Sequence, residues 1–347
     1  MAFQRVPFLD IFKDASGGNI KTPNNEFLDE GDIPVVDQGQ NLVAGYVNDK
    51  SKACKSSPPV IVFGDHTRAI KYVDFEFAMG ADGTKVLVPK IEADLKYLFH
   101  ALKNIDLPSA GYSRHYKFLK ETEIPLPLLA EQRRIAAILD AADALRAKRR
   151  EAIAQLDAFL QSTFIEMFGD PATNPKGWET RSLGEILKVR SGDGLTAKEM
   201  APGGLFSVYG GNGINGYHDR YMFEEPKIIL GRVGVYCGAI HLTKPRSWVT
   251  DNALYVRELL LPIDTLYLVE ALKAANLNQY ASQAAQPLIS GGRIYPVRIS
   301  LPPLDLQRRF AAIVESVEKQ KARMQAHLAE LDALFASLQH RAFNGEL

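Results

Sequence analysis

A mixed α+β chain built as a pseudo-two-fold tandem repeat, two globular heads joined by two long antiparallel coiled-coil helices, is the fold class the sequence predicts. Three observations carry it. The first is a repeat. Ile124–Leu139 reads IPLPLLAEQRRIAAIL and Ile299–Val314 reads ISLPPLDLQRRFAAIV, identical in ten of sixteen columns at a constant offset of 175 residues. At the same offset Ala154–Ala158 returns as Ala329–Ala333, Phe168 as Phe343, Asp10–Lys13 as Glu185–Lys188, and Ser16-Gly17 as Ser191-Gly192. The chain is therefore a duplication of about half its length.

The second observation is an abrupt change of composition inside each copy. The first part is rich in Gly, Pro, Tyr and β-branched residues and reads as short strands separated by turns. Strands are expected at 59–63, 85–88, 227–230 and 253–256, with turns at 24–25, 80–83 and 210–213. A short helix is expected at 94–103 and its equivalent at 265–275. From Ala130 to about Met167 neither Pro nor Gly occurs, and Ala, Arg, Leu, Glu and Gln dominate.

The third observation is heptad spacing in those Gly- and Pro-free stretches. Ile135, Ile138, Ala142, Leu145, Ala152, Leu156 and Phe159 follow steps of three, four and seven. In the second copy Phe310, Val317, Met324, Leu331 and Leu338 lie seven apart, supported by Ile313, Leu328 and Leu334. Pro125, Pro127, Pro302 and Pro303 punctuate the helix starts, and Gly169 and Gly345 the ends. Each helix of about 38 residues would be roughly 55 Å long. An apolar seam of that length needs a partner, and the duplicate is the nearest one. Domains are accordingly expected at 1–129 (first head), 130–169 (first helix), 170–304 (second head) and 305–347 (second helix).

Bulk properties bound the function. No apolar run approaches the ~20 residues that span a bilayer, and the charged start Met1–Arg5 has no signal-like stretch behind it. Cys54 and Cys237 form neither a disulfide framework nor a Cys-pair metal motif, so a reducing cytoplasm is expected. With 41 basic and 41 acidic residues, binding of polyanions by global charge is disfavoured, although locally basic faces remain open. No phosphate-binding G-x-x-x-x-G-K-[ST] is present, and Asn174-Pro175-Lys176-Gly177 has Lys where an amino-methyltransferase tetrapeptide needs its second Pro. Gly203-Gly204 and Gly210–Gly213 lack the strand-to-helix context of a nucleotide loop. His66, His100, His115 and His218 show no paired ligand spacing, Cys237 with His241 is a lone pair, and Asp65-His66 has no nucleophile elbow to complete a triad. No metal, cofactor or catalytic residue is expected.

The run Pro125–Ala136, its echo Ser300–Ala311, and the junction Phe168-Gly169-Asp170-Pro171 with Asn174–Trp178 resemble the specificity subunit of type I restriction–modification systems. The resemblance spans the chain in the order recognition domain, helix, recognition domain, helix. It implies a non-catalytic scaffold that binds double-stranded DNA. Two methyltransferase subunits and, for cleavage, two motor–nuclease subunits would associate with it. S-adenosylmethionine and ATP would then belong to the partners. Each head would read one half of a split target, and the helix pair would set the unread spacer. The heads differ in sequence while the helices agree, so the target should be asymmetric.

Within that reading, contacts to bases or phosphates are expected in the first head from His66, Thr67, Arg68 and Lys71, and from Tyr112, Ser113, Arg114, His115 and Tyr116. In the second head they are expected from Tyr209, Asn212, Asn215, Arg220, Arg232, Ser290, Arg293 and Tyr295. The basic cluster Arg146, Lys148, Arg149, Arg150 reads as a solvated helix face with Glu151 and Asp157 as its partners, with phosphate contact over the spacer as the alternative. Gln132, Arg133 and Arg134, repeated as Gln307, Arg308 and Arg309, open both helices and suit either two copies of one partner or a brace for the helix starts. One departure stands between them: Leu306 replaces Glu131. Two other classes remain open at this level: a coiled-coil scaffold whose heads bind protein or glycan, and an enzyme with an unrecognised site in the Gly-rich loops.

Overall fold

The structure, a computed structural model, describes residues 3–108, 113–171, 173–283 and 286–347. The Gly- and Pro-free stretches form single helices, Leu129–Phe168 (40 residues) and Leu304–Asn344 (41 residues). The expected short helices are Leu95–Lys103 and Thr265–Ala274, and the expected strands are Val60–Gly64, Thr84–Pro89, Ile228–Gly231 and Ala253–Leu259. The turn expected at 24–25 is a 3-10 turn, Asn24–Glu26.

The chain divides into two compact units, residues 1–150 with 326–347, and residues 151–325. Both cuts fall inside the long helices, so each unit holds one head and two antiparallel half-helices. In the first unit Arg149 reaches His327 and Arg146 reaches Asp332. In the second, Asp157 meets Lys321 and Phe164 meets Phe310.

Each head carries two sheets. In the first, Phe12–Asp14, Thr84–Pro89, Val60–Gly64 and Ile70–Val73 form an antiparallel sheet beside a mixed one of Lys21–Thr22, Ala78–Gly80, Ile33–Val36 and Gly45–Val47. In the second, Leu187–Ser191, Ala253–Leu259, Ile228–Gly231 and Ile240–Leu242 repeat the antiparallel sheet, beside Gly213–His218, Phe206–Gly210 and Trp248–Val249. A two-stranded ribbon closes each neck, Arg5–Pro7 on Glu123–Pro125 and Thr180–Ser182 on Arg298–Ser300.

The second long helix keeps its heptad seam: Phe310 and Val317 are buried, and Met324, Leu331 and Leu338 are half-buried. Three expected seam residues are instead exposed, Leu145 at 55%, Phe159 at 50% and Leu334 at 50%. The buried stripe runs through Ile135, Leu139, Leu160, Phe164 and Phe168 on the first helix and Val314, Phe335 and Phe343 on the second. A helix that covers a head as well as its partner helix needs an apolar stripe wider than a strict seam, and a 3.6-residue turn drifts away from a seven-residue repeat.

Candidate nucleic-acid interface

The two suspect stretches of the first head are one structure. Asp65, 4% exposed, follows the buried strand Val60–Gly64 and accepts at its main-chain O from the His115 N–H (2.8 Å). Its Oδ1 accepts from the Tyr116 N–H (2.7 Å), so the turn 65–68 and the segment 113–117 are bonded together. Two further loops join them. Asp65 N–H donates to Gly83 O (2.7 Å), His66 N–H donates to Gln38 Oε1 (3.2 Å), and the Thr67 hydroxyl donates to Gln38 O. Gly83 has φ +80°, a conformation that strains any side-chain-bearing residue, and a Cβ there would also press on Gln38 Oε1 at 2.4 Å.

The second head repeats this plan with other residues. Arg232 follows the buried strand Ile228–Gly231; its O accepts from the Ile289 N–H (2.9 Å), and its N–H donates to Asn252 O (3.0 Å). Its Nη1 donates to Ser191 Oγ (3.0 Å) and to Asp251 O (3.3 Å). Gly234 N–H donates to Pro287 O (3.1 Å), tying the turn to the segment that leads to Ser290. Gly231 is required here, because a Cβ would sit 2.1 Å from Tyr236 O.

Several expected contact residues make bonds or contacts within the protein. The Lys71 ammonium, 5% exposed, donates to Asp37 O (2.8 Å) and Oδ1 (3.3 Å); burial lowers its pKa against the pull of Asp37. His115 is 2% exposed and its Nδ1 lies 3.0 Å from Asp65 O. Tyr116 packs on Phe8 and Phe63, and burial pushes its phenol up to about 12. Tyr209 is buried, its hydroxyl accepting from the Lys244 N–H (2.9 Å). The Tyr295 hydroxyl accepts from the Val189 N–H (3.2 Å), bracing the strand beneath the loops. Thr67 closes its own turn, with Ala69 N–H donating to its Oγ1 (3.2 Å). Arg68 adopts φ +61°, and its Nη1 donates to Leu107 O (3.0 Å). Lys71, His115 and Tyr209 are buried and correct the expectation, whereas Thr67 and Arg68 stay exposed with part of their bonding used to shape the turn itself.

The surface left to a ligand is smaller. In the first head Thr67, Arg68 and Arg114 are exposed, and His66, Ser113 and Gln38 are half-buried. Tyr112 lies outside the described residues. In the second head Asn212, Asn215, Ser290 and Arg293 are exposed and Arg232 is half-buried. Asn215 shares a cavity of about 640 Å³ with Thr196, Asp251 and Asn252. Arg220 stands apart. Gly210 pairs with Gly213 at the hairpin turn and Phe206 with His218 at its far end. Arg220, beyond that end, is therefore roughly 20 Å from Asn212 along the strand. Gln38 was legible as the polar run 37–41 after an apolar strand, whereas Asp251 and Asn252 had no such signal.

The Gln-Arg-Arg triplets divide by residue. Gln132, 2% exposed, accepts from the Asp94 N–H (2.9 Å) and donates to Pro127 O (2.8 Å). Gln307, also 2% exposed, makes the same two bonds to Asp264 N–H (2.9 Å) and Pro302 O (2.8 Å). Both glutamines brace the helix start against the N-cap of a short head helix, so they present nothing outward. Arg133, Arg134, Arg308 and Arg309 are exposed. Arg134 forks onto Glu131 (2.8 and 2.7 Å), a bond that Leu306 denies to Arg309. In the basic cluster, Arg146 bonds Asp143 and Asp332 (2.6 Å each) and lies 4.3 Å over the Phe335 ring, while Arg150 bonds Asp332 (3.0 Å). The carboxylate partners are thus Asp143 on the same helix and Asp332 on the other, rather than Glu151 and Asp157.

Among the described residues no group of three or more His, Cys, Asp or Glu could hold a metal, and no helix is long and apolar enough to cross a membrane.

Comparison with known proteins places this geometry. The chain is similar to the specificity subunit of the type I restriction enzyme EcoprrI of Escherichia coli, 30% identical over 142 residues, 40% of this chain and 35% of that one. It is also similar to the EcoR124I/EcoR124II specificity subunit of Escherichia coli, 29% identical over 182 residues, 48% of this chain and 44% of that one. These matches span less than half the length of either relative. The fold is that of the type I restriction–modification S subunit from M. genitalium, with a TM-score of 0.66 at 18% identity, over 99% of this chain and 96% of that one. The family described as type I restriction modification DNA specificity domain matches twice, at residues 4–155 and 175–333. The chain therefore belongs to the type I restriction–modification DNA specificity family, and carries two copies of its domain.

Proposed function

We propose that the chain is the DNA-reading specificity subunit of a type I restriction–modification complex. Each head reads one half of an asymmetric bipartite target through its loop cluster, and the helix pair sets the spacer and docks two methyltransferase subunits. The chain itself is non-catalytic; S-adenosylmethionine chemistry, and ATP-driven cleavage by two motor–nuclease subunits, belong to the partners in the cytoplasm. One observation carries this reading. The glutamine bracing of the helix starts repeats between the copies, whereas the turns at the tips of the loop clusters differ, His66-Thr67-Arg68 in one and Val233-Gly234-Val235 in the other. A constant frame with variable tips suits two copies of one partner and two different DNA sequences.

Mapping of methylated adenines in a host that carries the complete system tests it. Exchange of residues 1–123 for another head of the family is expected to change one half-site only. Insertion of four residues after Ala147 adds ~6 Å of helix and is expected to lengthen the spacer with both half-sites intact. A hybrid with both halves altered, or an insertion that changes half-site sequence and leaves the spacer, overturns the assignment.

A further inference from the structure

The second head presents an apolar fingertip within its loop cluster. Val235 is 85% exposed and Tyr236 50% exposed, in the 3-10 turn Gly234–Tyr236 that begins two residues beyond Arg232. An exposed valine on a loose loop would mean nothing. This turn is held from several sides. Gly234 N–H donates to Pro287 O (3.1 Å), Cys237 N–H to Gly234 O (3.0 Å), Gly238 N–H to Gly231 O (2.8 Å) and Ala239 N–H to Tyr236 O (3.0 Å). The buried Cys237 thiol donates to Arg232 O (3.2 Å) beneath it. The backbone is fixed and the side chains project from it.

Its setting is basic. The Arg232 guanidinium is held by Ser191 Oγ and a main-chain carbonyl, and that of Arg293 by the Tyr280 carbonyl (3.5 Å). Among the described residues neither forms an ion pair with a carboxylate, so neither guanidinium is engaged by an acidic side chain. The corresponding turn of the first head, His66-Thr67-Arg68, carries no apolar side chain.

We infer that Val235 is a base-reading residue of the second head, contacting the 5-methyl group of a thymine in the major groove, with Tyr236 flanking it and Arg232 and Arg293 on the neighbouring phosphates. The inference rests on the proposed DNA-reading function. The thymine methyl is the one apolar group among the base edges of the major groove, and apolar side chains read it. A braced, compact, β-branched side chain fits that task. It is too short to wedge open a base step, which takes longer apolar side chains.

Once the target is mapped, duplexes carrying it are prepared with each thymine replaced singly by deoxyuridine, which removes only the methyl group. Binding is measured with the chain in complex with its methyltransferase subunits. At one thymine of one half-site the replacement is expected to weaken wild-type binding about fourfold, the value of one buried methyl-sized group. The Val235→Ala complex is expected to bind the natural target about as weakly as wild type binds that uracil duplex, and to show no further loss on it. Val235→Ala should melt with wild type, since the position is exposed. Uracil scanning without effect at any thymine, or an equal loss in Val235→Ala, removes the valine contact while leaving sequence-specific binding intact. A complex with no sequence preference removes both the contact and the functional reading on which it rests.

Discussion

The first and second units share a set of bracing bonds and differ at their centres. In both, an Asp caps a short head helix, Asp94 and Asp264, and its N–H is taken by the buried glutamine of the long helix. In both, a buried tyrosine donates to the neck strand, Tyr97 to Pro125 O (2.6 Å) and Tyr267 to Ser300 O (2.8 Å). An acid–base pair joins the half-helices at equivalent positions, Arg146–Asp332 (2.6 Å) and Lys321–Asp157 (2.7 Å). The centres part company. The second unit clusters Phe164, Phe168, Tyr267 and Phe310, mostly edge to face, with ring centroids 4.8 to 5.9 Å apart. The first has Ile135 where the second has Phe310, and it seats His100, 1% exposed, between Phe99 and Phe335 with Nε2 2.8 Å from Asp140. Polar bonding to the backbone has narrow geometric tolerance and is retained. Apolar volume can be filled in more than one way.

The largest effect should come from the aromatic centre. Phe168→Ala removes a ring in contact with three others and is expected to cost about 3–5 kcal/mol in urea unfolding. Its counterpart Phe343→Ala, with one aromatic neighbour, should fall at the low end of that range. A Phe343→Ala loss larger than that of Phe168→Ala would mean that the first unit depends on its aromatics as heavily as the second. Gln132→Ala and Gln307→Ala each orphan a half-buried N–H and a carbonyl, at up to about 1–3 kcal/mol per orphaned group. The two losses should agree; a clear difference breaks the claim that the frame is duplicated.

Acid should separate the units. Burial lowers the pKa of His100 below its ordinary value, with Asp140 pulling the other way and Lys103 reinforcing the drop. A base with a depressed folded pKa stabilises the fold fully above the unfolded value of about 6.5, and that contribution is lost as pH falls. The second unit has Glu270 at the equivalent helical position, paired with Lys273 (2.7 Å). Amide exchange at pH 5.5 against pH 7.5 is therefore expected to show helix Leu95–Lys103 losing protection relative to Thr265–Ala274. Equal losses would remove His100 as the cause. The smallest effects belong to the half-helix pairs. Lys321→Ala should cost no more than about 1 kcal/mol, decreasing with salt. Arg146→Ala should cost slightly more and keep part of its loss at high salt, because the guanidinium also covers the Phe335 ring.

The sequence by itself determined the duplication, the two long helices, and the short helices within a residue or two. Those features rest on local periodicity and on an offset of 175 residues that needs no coordinates. Tertiary structure decided the direction in which side chains face. It turned Lys71, His115, Tyr209, Gln132 and Gln307 inward, left Leu145, Phe159 and Leu334 outside, and separated Arg220 from Asn212 by the length of a hairpin. It also brought out Val235, an apolar residue with no motif around it. Whether a polar side chain faces a ligand or its own backbone depends on where distant carbonyls and N–H groups fall. Only the folded chain brings Gln38 to Thr67, Asp65 to His115, or Asp94 to Gln132.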